Sequence, residues 1–342
     1  MLLGQEILTL TNLKVIKMKT KKIIWILAFL LLALISAYFL LSKYNEKNNT
    51  NNPTTTEKVS IRMKWFFAGT MSGWFAGKEQ GIYKKNGIDL TINSGGPENS
   101  SIKLVAAGTD LFGVAGADEI LIAREKGIPV VPIAVLFKES PIGFISKTSS
   151  GIKTPSEWNG KTIEVDFGSN AEIQFRALVK KFGVKSIKEV PYTYSLVPFI
   201  ENKVDVSVAY VMDQVVTLKN QGIEVKVLTS KEYGINPYGD VIFTTDKTLK
   251  EKPELVERFL TATIESQKWA IQNDSLAITH LVQNTSNLKF DNELQVWQAT
   301  IPFLIANDGI DNLGIMKKER WEDTQNVLIE FGALKNKQKI DF

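Results

Sequence analysis

The chain has 342 residues, enough for one large domain or two lobes with cores of their own. It contains no cysteine, which excludes disulfides, thiolate metal sites, thiol nucleophiles and a lipoprotein anchor. The net charge of +4 is unevenly placed: residues 1–58 carry eight lysines against Glu6, Glu46 and Glu57, a net of +5, and the remainder sums to −1, without the basic stripe a nucleic-acid partner requires.

The first element in chain order is an uncharged apolar run of 20 residues, Ile23 to Ser42. As a helix it spans about 30 Å, the hydrocarbon thickness of a bilayer. Lys14, Lys17, Lys19, Lys21 and Lys22 precede it, and a polar Asn/Thr-rich stretch follows. That asymmetry predicts a cytoplasmic basic N-terminus (1–22), a transmembrane anchor (23–42), a flexible linker (43–58) and an extracytoplasmic remainder. A cleaved signal peptide starting at Met1 or Met18 is the alternative. However, Tyr38, Phe39, Leu40 and Leu41 continue the apolar run past the small residues Ser36 and Ala37.

Beyond Lys58, short β-rich runs alternate with helical stretches. Strands are expected over 59–65, 88–93, 111–115 and 129–137, with helices over 73–85, 98–107 and 118–126. The pattern restarts at Gly160 with strands over 161–167, 187–191 and 204–210 and a helix over 170–182. From Pro253 the chain reads as helical: 253–273, 275–283, 291–306 and 317–331. This alternation predicts an α/β fold with a mostly parallel sheet and ligand-binding loops at the carboxyl ends of its strands.

Signatures of catalysis are scarce. His280, the one histidine, reads as a helix residue, and no phosphate loop, nucleophile elbow or zinc motif occurs. Three loops carry more information. In the first, Trp65 to Trp74, Trp65 stands at a strand end where its ring can stack on a flat ligand, while Phe67 and Phe75 read as core plugs. The second, Gly95-Gly96-Pro97-Glu98-Asn99-Ser100, lets backbone approach a ligand or simply turn. The third, Phe167-Gly168-Ser169-Asn170, repeats that design, with Ser169 or Asn170 either capping the next helix or binding a polar group.

Several segments in register carry a resemblance: Gly81-Ile82-Tyr83 with Gly87-Ile88-Asp89-Leu90, Gly95-Gly96-Pro97, Val105 to Val114, Ala123 to Val130, and Gly151 to Pro155 with Trp158 to Lys161. Over about residues 61–273 the chain resembles the substrate-binding proteins of the alkanesulfonate/thiamine-pyrimidine superfamily. The resemblance implies a two-lobed, type II-like periplasmic-binding fold with a C-terminal helical segment. Lobe 1 would comprise 59–145 plus 240–342 and lobe 2 146–239, with crossings near Gly143–Ser146 and Tyr238–Val241. It implies a monomeric, non-enzymatic carrier without cofactor or metal, which captures a small molecule and delivers it to an ABC permease. Implied ligand-binding residues are Trp65, Trp74, Gly95, Gly96, Pro97, Ser100, Ser140, Phe167, Ser169, Asn170, Tyr210 and Tyr238.

The ligand is less closely defined. Binders of thiamine pyrimidines carry Pro, Asn and His where this chain has Phe67, Ala68 and Met71, and of their second motif only Tyr210 remains. The Gly-Gly-Pro loop and the Phe167 segment are similar to riboflavin-binding relatives, and Trp65, Trp74, Phe167, Tyr210 and Tyr238 would suit a flavin. A sulfonate or nitrate would instead use Ser100, Ser101, Ser169 and Asn170. The superfamily's pyrimidine synthases, which consume their own histidine, are a further alternative, opposed by Met71 and the missing cysteines. A heteroaromatic vitamin or precursor is the preferred expectation.

Overall fold

The computed structural model describes residues 56–340 together with the helical Ser36. The chain divides into two units at Thr54, and apart from Ser36 the apolar run 23–42 lies outside the described residues. Among the described residues no helix is long and apolar enough to cross a membrane.

The second unit opens with β1 (Glu57–Arg62), a 3-10 turn (Gly69–Met71), α1 (Ser72–Glu79), α2 (Ile82–Lys85) and β2 (Ile88–Asn93). It continues with α3 (Ser101–Ala106), β3 (Phe112–Ala115), α4 (Ala117–Glu125), β4 (Val130–Val135) and β5 (Ile142–Lys147). Then come β6 (Lys161–Val165), α5 (Asn170–Lys181), β7 (Ile187–Pro191), α6 (Val197–Ile200), β8 (Ser207–Tyr210), α7 (Gln214–Asn220) and β9 (Val225–Thr229). The chain closes with β10 (Val241–Thr245) and the helices α8 (Asp246–Glu251), α9 (Pro253–Gln272), α10 (Asp274–Asn284), α11 (Phe290–Ile305) and α12 (Lys318–Phe331). The single helix expected over 73–85 is split, because Gly81 takes a left-handed conformation (φ 71°) that ends one helix and starts the next.

A mostly parallel sheet is not what forms. The first sheet has the order β2-β1-β3-β10-β4, in which β1 runs parallel to β2 and β3 while β10 is antiparallel to both its neighbours. A second sheet, β8-β5-β9, is wholly antiparallel, and β6 and β7 form a parallel pair. The strands β5, β9 and β10 carry the antiparallel pairing, and sequence pattern does not reveal them. Their partners are remote in the chain, and β5 and β10 are buried on both faces, so neither shows alternation.

Two aromatic centres hold these layers. On α9 the buried residues Leu255, Val256, Phe259, Ala262, Thr263, Ser266 and Ala270 recur at helical spacing, and this face packs chiefly against α1, with Phe259 reaching the first sheet. Phe259 stacks on Phe112 of β3 with centroids 3.8 Å apart. Behind β5, Trp158 stacks on Phe175 of α5 at 5.7 Å, and Phe144 meets both rings.

Candidate functional site

A cavity of about 230 Å³ opens where the strand ends converge. The parallel strands β1, β2, β6 and β7 bring their carboxyl-end loops to it, holding Lys64 to Phe66, Gly96 and Pro97, Asp166 to Ala171, and Tyr192 with Tyr194. The antiparallel strands β5 and β10 run the other way, so they contribute their starts, Ile142 and Asp240. The parallel strands therefore present their carboxyl ends, and the antiparallel β5 and β10 their starts, to the same cavity.

Aromatic rings form the walls. Trp65 lies 5.3 Å from Tyr194 and 5.4 Å from Phe66. Phe66 and Phe167 are each half exposed at the rim. Tyr194 holds a left-handed backbone (φ 58°), costly for a bulky residue, and its hydroxyl donates to Asp166 Oδ1 at 2.9 Å. Strain of this kind clusters where a side chain must be presented to a ligand.

The floor is polar and mostly acidic. Glu119, Asp166, Asp213 and Asp240 face the cavity with Lys64. Lys64 Nζ lies 3.2 Å from Glu119 Oε2 and 5.6 Å from the centre of the Tyr210 ring. It is shielded from solvent and has no hydrogen-bond partner. Burial alone would lower the Lys64 pKa, yet Glu119, Tyr210, Asp240 and Asp118 together hold it well above the usual lysine range. Burial raises Asp240 to about 6, opposed by Lys64. Burial likewise raises Asp213 to about 6, helped by the charge of Glu293. Asp166 is also raised, by burial, against the hydrogen bond from Tyr194.

Of the residues singled out in the sequence, Trp65, Gly96, Pro97, Ser100, Phe167, Ser169, Asn170 and Tyr210 line this cavity. Ser169 also caps α5, its Oγ accepting from the Ala171 amide at 3.1 Å. Four others do not line it. Trp74 faces inward from α1, 3% exposed and stacked on Phe259. The bare Cα of Gly95 packs against the Met63 carbonyl and the Lys64 backbone, and its amide donates to the Trp65 carbonyl, so it shapes the Trp65 loop from behind. Ser140 donates to Gln174 Oε1 in a buried network. Tyr238 packs on Trp321 under the Arg320 guanidinium, its hydroxyl accepting from the Lys317 amide.

The sequence reading passed over Lys64, Phe66, Glu119, Asp166, Tyr192, Tyr194, Asp213, Gln214 and Asp240. A signal existed for several: Lys64 and Asp166 adjoin residues already chosen, and Tyr192 and Tyr194 follow the correctly placed strand Ile187–Pro191. His280 lies elsewhere on α10, hydrogen-bonded to Gln80 at 2.9 Å.

Fold and site together define an α/β substrate-binding protein of the periplasmic-binding-protein-like fold. Residues 69–277 match the family described as NMT1/THI5 like, and the chain belongs to it. It is 24% identical over 302 residues to the riboflavin-binding protein RibY of Chloroflexus aurantiacus, covering 83% of this chain and 84% of that protein. A formylaminopyrimidine-binding protein of Halalkalibacterium halodurans is 19% identical over 304 residues, 86% of this chain and 92% of that one. The 4-amino-5-hydroxymethyl-2-methylpyrimidine phosphate synthase of Legionella pneumophila matches at 23% over 252 residues, 72% and 79% of the two chains. Among solved structures, the periplasmic aliphatic sulphonate binding protein SsuA from Escherichia coli superposes with a TM-score of 0.64 at 16% identity, over 82% of this chain and 90% of that one. The superfamily resemblance read from the sequence therefore holds.

Proposed function

We propose that this chain is the membrane-anchored, extracytoplasmic solute-binding component of an ABC importer, which captures a heteroaromatic vitamin or vitamin precursor and delivers it to a permease. The observation that carries this reading is the cavity walled by Trp65, Tyr194 and Phe167 at the converging strand ends. Flat rings bind such walls by stacking, worth about 0.5–1.5 kcal/mol beyond burial. The names of the riboflavin- and formylaminopyrimidine-binding relatives support the same ligand class.

In this reading, residues 59–145 with 240–342 form one lobe and 146–239 the other, with crossings near Gly143–Ser146, within β5, and near Tyr238–Val241, at the start of β10. The cavity is smaller than the roughly 300–1,000 Å³ that drug-sized ligands occupy, so a flavin enters by parting Trp65 from Tyr194. The basic segment and apolar run ahead of Asn45 supply the anchor and its orientation. Met71 in the lining, where the pyrimidine synthases carry their consumed histidine, favours a carrier over an enzyme.

The test is a thermal-shift panel on the full-length protein in detergent, with riboflavin, thiamine and its pyrimidine precursors, alkanesulfonates, nitrate and bicarbonate. A ligand at 100 times its dissociation constant stabilises by about 2.7 kcal/mol. Stabilisation by a flavin or pyrimidine is expected; stabilisation by sulfonate alone contradicts the heteroaromatic assignment.

A further inference from the structure

The charges around the cavity are unequal. Four carboxylates, those of Glu119, Asp166, Asp213 and Asp240, line it against one cation, Lys64, and no arginine or histidine lines it among the described residues. The lysine is already committed, since its ammonium stands 3.2 Å from Glu119. Asp213 takes a side-chain hydrogen bond only from the neutral Gln214 amide, and Asp166 from the neutral Tyr194 hydroxyl. No described cation pairs with either.

An anion entering this cavity loses its water and meets uncompensated negative charge at short range, in a site of low dielectric. A group bearing O–H or N–H donors instead gives the carboxylates the partners they lack. The Lys64 ammonium, ion-paired with Glu119 but making no hydrogen bond of its own, can in turn donate to a neutral acceptor, such as a ring nitrogen or carbonyl.

Resting on the heteroaromatic reading above, we infer that the cavity selects the unphosphorylated, unsulfonated form of its ligand, a neutral or cationic heterocycle rich in hydrogen-bond donors, and rejects its anionic derivatives. The carboxylates are thus the specificity-determining groups, and the aromatic walls supply the contact common to both forms.

The experiment measures dissociation constants on the full-length protein for two matched pairs, riboflavin with flavin mononucleotide and thiamine with thiamine monophosphate. The phosphorylated member of the binding pair is expected to bind at least about 100-fold more weakly. Asp213→Asn and Asp166→Asn, each checked by melting temperature, are expected to narrow that ratio about tenfold. Equal or tighter binding of the phosphorylated member overturns the charge selection while leaving the heteroaromatic reading intact. A gap unchanged in both variants overturns the role of these carboxylates. Failure of these four compounds and of the thiamine pyrimidine precursors to bind overturns the heteroaromatic reading, and this inference with it.

Discussion

Trp65 and Tyr194 meet across the candidate site with ring centroids 5.3 Å apart and planes inclined at 47°. One follows β1 of the first sheet and the other follows β7 of the parallel pair, so this contact joins two separately built layers over the cavity. Trp65→Ala removes both the contact and a stacking surface. It is expected to weaken ligand binding at least about five-fold while the protein stays folded. Calorimetric titration beside a thermal melt separates the two effects.

Tyr194 carries backbone strain in addition to its ring. Replacement by alanine keeps a Cβ in the left-handed region, whereas glycine adopts φ 58° without penalty. Both variants should lose affinity to a similar degree, while Tyr194→Gly is expected to be about 1 kcal/mol more stable than Tyr194→Ala. Urea unfolding of the two proteins checks the difference.

Trp74 stands only nine residues after Trp65 but has a different role, because α1 turns it onto Phe259. Trp74→Ala is expected to cost about 3–5 kcal/mol of stability and to leave the affinity of the folded fraction unchanged. Lost affinity without lost stability would return Trp74 to the site.

The α1–α9 contact depends on a bare backbone. A Cβ at Gly77 would overlap the Ser266 side chain and press on the Tyr83 ring at 2.9 Å. Gly77→Ala should therefore destabilise by about 1–3 kcal/mol, read by denaturant midpoint.

Burial sets a pH dependence. Asp213 and Asp240 titrate at about 6 in the folded protein, against about 4 in an unfolded chain. The native state thus binds more protons than the unfolded state between those values. The resulting stabilisation is full below pH 4 and disappears as pH rises through 6. Glu157, Asp274 and Asp308, held below the ordinary carboxylate range by hydrogen bonds, act in the opposite sense at lower pH. The unliganded protein should melt higher at pH 5 than at pH 7.5. Asp213→Asn should flatten the profile and gain roughly 1–3 kcal/mol at pH 7.5.

What the sequence discloses here is local. The strands Ile88–Asn93 and Ile187–Pro191 and the helix Pro253–Gln272 announce themselves through periodicity and breakers, and each lies within a residue of its expected bounds. The strands β5, β9 and β10 do not, because remote pairing partners decide them. The site divides the same way. Loop glycines and ring-bearing strand ends point to Trp65, Gly96, Phe167 and Tyr210. The grouping of Lys64, Glu119, Asp213 and Asp240 exists only after β10 has inserted between β3 and β4, and no spacing encodes it. Trp74, Ser140 and Tyr238 misled for the complementary reason, since residue type fits a ligand site but side-chain direction is fixed by packing.

The most direct test of the account is equilibrium binding of riboflavin, thiamine and its pyrimidine precursors to full-length wild-type protein and to Trp65→Ala. The account predicts saturable one-to-one binding of at least one of these compounds to the wild type. It also predicts at least about five-fold weaker binding to the Trp65→Ala variant, which stays folded. Absence of binding by all of them, or binding that Trp65→Ala leaves unchanged, would contradict it.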